Sequence, residues 1–216
     1  DRGKKYHLPE AMSRTIAMLI GKGADGNCCL SRWMAGYENP ANCFSRQALP
    51  IVWDFCESTI VSQSRGVFLS SSDDILKIID ECQMLNHGQT HLADATEHPV
   101  PDETSMVWFT DPPYYDAVPY ADLSDFFYVW LKRSIDSHPL MHNPFEPENP
   151  LTPKAQEIVQ DEIKMFAGRP KDRQFFEERT AMAFSEGRRV LREDGIGAVV
   201  FAHKTTEGWE ALLSGL

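Results

Sequence analysis

The sequence predicts an α/β fold, and three observations carry that prediction. Two short apolar runs, "SMVWFT" and "IGAVVFAH", are each bounded by turn residues and read as buried strands. "DRQFFEERTAMAFSEGRRVL" reads as a long amphipathic helix. That helix, an Asp194-Gly195 turn and the second run form a helix-to-strand return, the grammar of a parallel sheet.

Ahead of the α/β pattern lies a helical and irregular segment over residues 1–86, and the α/β half takes 87–216. "LPEAMSRTIAMLIGKG" has a proline at a helix start, apolar residues at helical spacing and glycines at its end, so a helix spans Pro9 to Lys22. Residues 23–47 turn to Gly, Asn, Cys and Ser with Trp33 and Tyr37 interspersed, a long irregular excursion of the kind that often carries function. "RQALPIVWDFCESTIV" reads as helical after Pro50. "SSSDDILKIIDECQML" is a helix with Ser72 as its cap and Ile75, Ile78, Ile79 and Cys82 on one face.

After Asn86 come "QTHLADA" as a short strand, "SMVWFT", and "ADLSDFFYVWLKRSI" as a helix whose Phe126, Phe127, Trp130 and Leu131 belong to the core. "PLMHNPFEPENPLTP", with five prolines, is a surface loop.

Composition narrows the function. The 216-residue chain is 42% hydrophobic, enough for one sizeable core. No window approaches the roughly 18 to 20 apolar residues of a membrane span, and no secretory pattern opens the chain, which favours the cytoplasm. Five cysteines without C-x-x-C spacing indicate neither a disulfide framework nor a zinc ribbon. The net charge of −11 argues against a general nucleic-acid coat, yet residues 1–60 hold seven basic against six acidic residues, leaving fourteen against twenty-six beyond them. A polyanion would meet the first sixty residues, where Arg32, Trp33, Arg46 and Gln47 mix basic and aromatic groups; ordinary solvated-face composition and helix-end packing explain the same features.

Asp111-Pro112-Pro113-Tyr114 follows "SMVWFT" directly, so the strand is stopped at its carboxyl end, where α/β folds bind ligands. The group suits one chemistry. An amino group on an unsaturated carbon is a poor nucleophile because its lone pair is delocalised. A carboxylate and a rigid backbone carbonyl side by side accept its two N–H hydrogens and let the nitrogen become tetrahedral as it attacks. Asp111 supplies the carboxylate and Pro112 the carbonyl, Pro113 stiffens the turn, and Tyr114 stacks on the planar group.

These residues resemble the D-P-P-Y motif of the S-adenosylmethionine-dependent amino-methyltransferases. "TDPPYYDAVPYADLSDFFYVWLKR", "VLREDGIGAVVFAHKTTEGWEALL", "NCCLSRWM" and "FSRQALPIVWDF" together resemble the large prokaryotic adenine-specific DNA methylases. The resemblance implies part of the Rossmann-like sheet of class I methyltransferases, S-adenosylmethionine as cofactor, DNA as partner, and methylation of adenine N6 on a flipped-out base seated at Tyr114. It implies a rim of Tyr115, Asp116 and Tyr120. Asp94 would face the cofactor's adenine, or is simply a turn residue capping "ATEH". His203 and Lys204, closing the second strand, would contact substrate or take a satisfied surface role. Enzymes acting on RNA bases or protein glutamine share a related motif that usually begins with Asn. A non-catalytic scaffold that binds nucleic acid or a partner is the third possibility.

The family's glycine-rich cofactor turn is not found. Phe166-Ala167-Gly168 lacks its second glycine, follows no buried strand and reads as a loop. The resemblance implies two strands between Asp94 and Asp111 that the sequence does not contain. The chain, which begins at Asp1, reads as a fragment that needs the remainder of the polypeptide upstream of residue 1 and is inactive alone, with "SMVWFT" pairing "GAVVFA" on one side only and "THLAD" without a neighbour.

Overall fold

The structure is a computed structural model that describes residues 8–44, 48–59, 68–81, 88–135, 138, 141–142 and 146–216. Within them the protein is mixed α/β, with five helices and three two-stranded sheets, one of them parallel. The chain divides into two compact units, Asp1–Gln89 with Asp122–Thr152, and Thr90–Ala121 with Pro153–Leu216.

In the first unit, helix α1 runs Leu8–Gly26. It begins where Pro9 predicts, since a proline in the first turn forfeits no helical hydrogen bond, and continues four residues past Lys22. Its inner face is small: Ala17 is buried, and a Cβ on Gly21 would lie 3.7 Å from the Phe127 ring. The excursion that follows contains a miniature antiparallel pair, β1 (Trp33–Met34) with β2 (Asn39–Pro40). It is fastened to the end of α1. The Cys43 N–H donates to the Asp25 carbonyl (3.0 Å) and carboxylate (3.0 Å), and the Ser31 hydroxyl donates to the Asp25 carbonyl at 2.7 Å.

The helix expected after Pro50 does not form. Phe55 bridges Arg32, and the Cys56 N–H donates to the Ser31 carbonyl at 3.3 Å. Those long-range partners take the backbone groups a helix would need, and Trp53 is left 96% exposed. Helix α2, Phe68–Glu81, starts four residues before Ser72; that serine is inside the helix and bonds back to the Leu69 carbonyl at 2.6 Å, so it is no cap. Ile78 and Ile79 are exposed. Arg46, Gln47 and Cys82 lie outside the described residues. Cys28, Cys29, Cys43 and Cys56 are free thiols, and burial, then the Asp25 carboxylate beside it, pushes the Cys43 thiol far up.

Helix α3, Tyr120–Ser134, joins this unit from Asp122 onward. Its Phe126 and Phe127 pack on Phe44 with ring centroids 5.3 Å away, half-buried rather than fully enclosed as expected. The proline-rich loop returns along it: the Tyr128 hydroxyl donates to the Met141 carbonyl at 2.7 Å, and Asp125 accepts the Thr152 N–H at 3.0 Å.

The second unit is built on β3 (Ser105–Thr110) and β6 (Leu191–Val199), paired in parallel with Val107 opposite Ile196 and Thr110 opposite Val199. Strand β6 begins five residues before the expected run. The predicted Asp194-Gly195 turn is absorbed as an irregularity between Leu191, opposite Ser105, and Ile196, opposite Val107. Helix α4, Arg173–Val190, precedes β6 and is capped by Asp172, whose carboxylate accepts the Phe175 N–H at 2.8 Å. It can lie close to the sheet because Gly187 has no side chain: a Cβ there would come within 2.3 Å of the Trp108 ring.

Neither strand is buried as predicted. Val107, Phe109 and Ile196 are exposed, and among the described residues β3 pairs with β6 alone, the unfilled edge expected of it. Residues 89–95 form no strand; Asp94 instead turns the chain, accepting the Thr96 N–H at 2.8 Å and hydroxyl at 2.7 Å.

Before α4 comes a hairpin the sequence reading missed, β4 (Asp161–Phe166) with β5 (Arg169–Lys171). Phe166-Ala167-Gly168 is its tip, with Ala167 at φ 48° and Gly168 at φ 83°, as a two-residue hairpin turn demands. Ile163 is 93% exposed, so β4 offers no buried-strand signal. Helix α5, Thr206–Leu213, packs on α4, and Tyr115, Phe176 and Ala211 form a fully buried cluster with Ile158 against it.

Candidate functional site

The parallel ladder runs to its last residue, where the Val200 N–H donates to the Thr110 carbonyl at 2.8 Å. Asp111 comes next and therefore stands at the carboxyl ends of both strands. Pro112 and Pro113 have no N–H with which to extend the ladder, so the chain leaves the sheet. The turn then closes on itself: Pro113 accepts the Tyr115 N–H at 3.1 Å, and Tyr114 accepts the Ala117 N–H at 2.8 Å. The Pro112 carbonyl takes no hydrogen bond from a described residue.

Tyr115 sits at φ 47°, the left-handed region that an aromatic residue adopts only under constraint. The constraint is visible. Its ring is buried against Phe176 (5.2 Å) and His203 (5.8 Å), its hydroxyl donates to Glu207 at 3.3 Å, and its carbonyl accepts the Gln160 N–H at 2.9 Å. Burial, with the Glu207 carboxylate next, pushes the Tyr115 phenol up to about 12. Tyr115 is thus an anchor of the turn. Anchoring one residue in an unfavourable conformation fixes the backbone of its neighbour Tyr114.

Tyr114 is half-buried, with its ring edge-on to Phe201 at 5.4 Å. Burial, then the nearby Asp111 carboxylate, raises the phenol above its ordinary value, so the ring is neutral through the physiological range. Tyr120 is exposed at the rim, its phenol raised by burial and then by Asp111 and Glu157.

A cleft of about 470 Å³ opens beside the turn, lined by Asp94, Trp108, Asp111, Pro112, Pro113 and Phe184 among others. The volume suits a nucleoside-sized ligand. Asp94 and Asp111, seventeen residues apart, thus reach one cavity. Burial alone would raise the Asp94 carboxyl, but hydrogen bonds from Thr96 and the Arg179 guanidinium, 2.8 Å away, hold it below its ordinary value. Arg179 lies on α4, 85 residues along the chain, and no local pattern announces it.

Asp116 is exposed and meets the Nε2 of His203 at 3.2 Å; the His203 side chain is only 7% exposed. Lys204 is exposed. Among the residues not anticipated, Thr205 caps α5 by accepting the Gly208 N–H at 3.4 Å, a cap readable in "KTTEGW". Among the described residues no group of three His, Cys, Asp or Glu side chains is arranged to hold a metal ion, and no helix is long and apolar enough to cross a membrane. No family model, no curated protein and no solved structure matches the chain.

Proposed function

We propose that Asp111, Pro112 and Tyr114 form the acceptor site of an amino-methyltransferase with a Rossmann-like sheet, acting on an exocyclic amine of a DNA base, adenine N6 foremost. The observation that carries the reading is the position of the turn: an exposed carboxylate and an uncommitted proline carbonyl, one residue apart, at the carboxyl ends of two parallel strands and on the edge of a nucleoside-sized cleft. Asp111 accepts one N–H of the amine and the Pro112 carbonyl accepts the other, which draws the nitrogen lone pair out of conjugation. The Tyr114 ring offers its face to the base, beside the Asp111 carboxylate that receives the amine.

The cleft fits the adenosine portion of S-adenosylmethionine. Trp108, Phe184 and the two prolines give apolar walls, and Asp94 and Asp111 give carboxylates for ribose hydroxyls and for the sulfonium charge. None of its lining residues is glycine, so the methionine end finds no glycine turn there. When bound, the cofactor supplies an electrophilic methyl group.

The test incubates full-length protein with labelled cofactor and, separately, DNA, RNA and a glutamine-bearing protein. Label in DNA is expected; label in RNA or protein alone redirects the substrate. Asp111→Ala is expected to lower the methylation rate by on the order of 10²-fold or more, with the loss of cofactor affinity small beside it. A rate within a few-fold of wild type sinks the assignment. Tyr114→Ala should weaken base retention by roughly 1 to 3 kcal/mol, whereas Tyr114→Phe keeps the stacking face and most of the activity; Phe behaving as badly as Ala would give the hydroxyl the essential part.

A further inference from the structure

His203 has both ring nitrogens engaged. A backbone N–H can only donate, so the Thr205 N–H at 3.2 Å makes Nδ1 an acceptor, and the Thr205 hydroxyl stands 3.1 Å from the same nitrogen. The remaining hydrogen must then sit on Nε2, which faces the Asp116 carboxylate at 3.2 Å. The neighbours of the ring hold it in place. Phe201 stacks on it at 6.2 Å with 13° between planes, and Tyr115 meets it edge-on. Gly208 leaves the space it occupies: a Cβ there would lie 2.2 Å from Nδ1. The indole of Trp209 donates to the His203 carbonyl at 3.1 Å.

The charged and titratable groups around the ring come from three elements: Asp116 and Tyr115 from the turn, Glu207 from α5 by way of Tyr115, and Arg173 from α4, which approaches Glu207 at 3.8 Å. Asp116 itself is exposed on its other side, so His203 holds the turn at a residue that burial does not fix.

We propose that His203, neutral and carrying its hydrogen on Nε2, is a positioning residue: it ties Asp116 to the capped start of α5 and so aims the Asp111–Tyr114 turn. The proposal rests on the reading of that turn as the amine-acceptor site. A positioning residue acts on turnover more than on binding, because the turn must hold its geometry only as the nitrogen becomes tetrahedral.

Two measurements decide it. Long-range nitrogen–proton correlation spectra of the full chain report the tautomer directly: an Nε2–H imidazole at neutral pH is expected, and an Nδ1–H ring overturns the assignment whatever the enzyme does. In methylation assays, His203→Gln keeps an N–H where Nε2 stands and should retain kcat within about threefold, whereas His203→Asn leaves Asp116 without its donor and should lose about tenfold in kcat with KM nearly unchanged. Asp116→Ala should show the same loss, and the double variant no more than either alone. Additive losses, or Gln no better than Asn, overturn the positioning role. If wild-type protein methylates nothing, the reading of the reaction fails, and the tautomer still decides whether His203 is held as described.

Discussion

Residues 27–59 and residues 161–199 are of similar size, and the physical forces that shape them differ. The later stretch is a hairpin, a capped amphipathic helix and a strand, with Phe175, Phe176 and Val190 wholly enclosed. The earlier one is fastened by hydrogen bonds from Cys43 and Ser31 to Asp25 and from Cys56 to Ser31, around the small buried side chains of Ser31, Ala41, Cys43 and Cys56, with Trp33, Trp53 and Phe55 open to solvent. Burial of a stripe leaves a period in the sequence. Point attachments leave none.

The largest test of that contrast is a pair of aromatic truncations. Phe176→Ala removes a ring that is 0% exposed and packed on Tyr115, and should cost about 3 to 5 kcal/mol in denaturant unfolding. Trp53→Ala removes a larger ring that touches little and should change stability by less than about 0.5 kcal/mol. Equal losses would mean that the exposed segment is enclosed in solution.

Glycines sharpen the same comparison. At Gly187 an added Cβ meets the Trp108 ring at 2.3 Å, so Gly187→Ala must push the indole aside and should destabilise by about 1 to 3 kcal/mol. At Gly23, inside α1, nothing lies within 4 Å of the added carbon, and Gly23→Ala should stabilise by about 0.5 to 1 kcal/mol through helix propensity. Thermal melts of the two variants should therefore move in opposite directions.

How much was legible follows the same line. Helix α4 with its Asp172 cap, the return into β6 and the stop after Thr110 all announce themselves, because proline, capping residues and the 3.6-residue period act within a few positions. The region of "RQALPIVWDF" misleads: its apolar residues mimic a helical face, and the groups that defeat the helix, Arg32 and Ser31, lie more than twenty residues back. The β4–β5 hairpin hides for another reason, since its strands are exposed and one turn position is Ala167 where glycine or asparagine is the usual signal. At the site, Asp111 through Tyr114 is visible as a motif. What positions it, Tyr115 at φ 47° with Glu207 on its hydroxyl and His203 on Asp116, draws on α5 and on the segment after β6, and only folding brings those residues together.

The last comparison concerns Asp94, where the two possibilities read from the sequence, ligand carboxylate and turn cap, meet in one residue. Its side chain is 17% exposed and that of Arg179 is 11% exposed, so the pair is shielded from salt more than a surface pair would be. Asp94→Asn keeps an oxygen for the Thr96 N–H and hydroxyl and loses only the charge on Arg179, so about 1.5 kcal/mol should go at neutral pH. The pH dependence has a definite sign. A carboxyl held below its ordinary value binds its proton less readily folded than unfolded, so its contribution is complete above about pH 4 and is lost as pH falls through the folded value. Glu186, held down to about 2 by Arg189 and by the His98 N–H, contributes in the same sense and over a similar range. Wild type and Asp94→Asn share that second group, so their difference isolates Asp94: urea midpoints measured from pH 7 to pH 2 should be separated at the neutral end and converge at the acid end. Midpoints that already coincide at pH 7 would show that the charge on Arg179 contributes nothing, and that Asp94 serves the fold only as the cap of its turn.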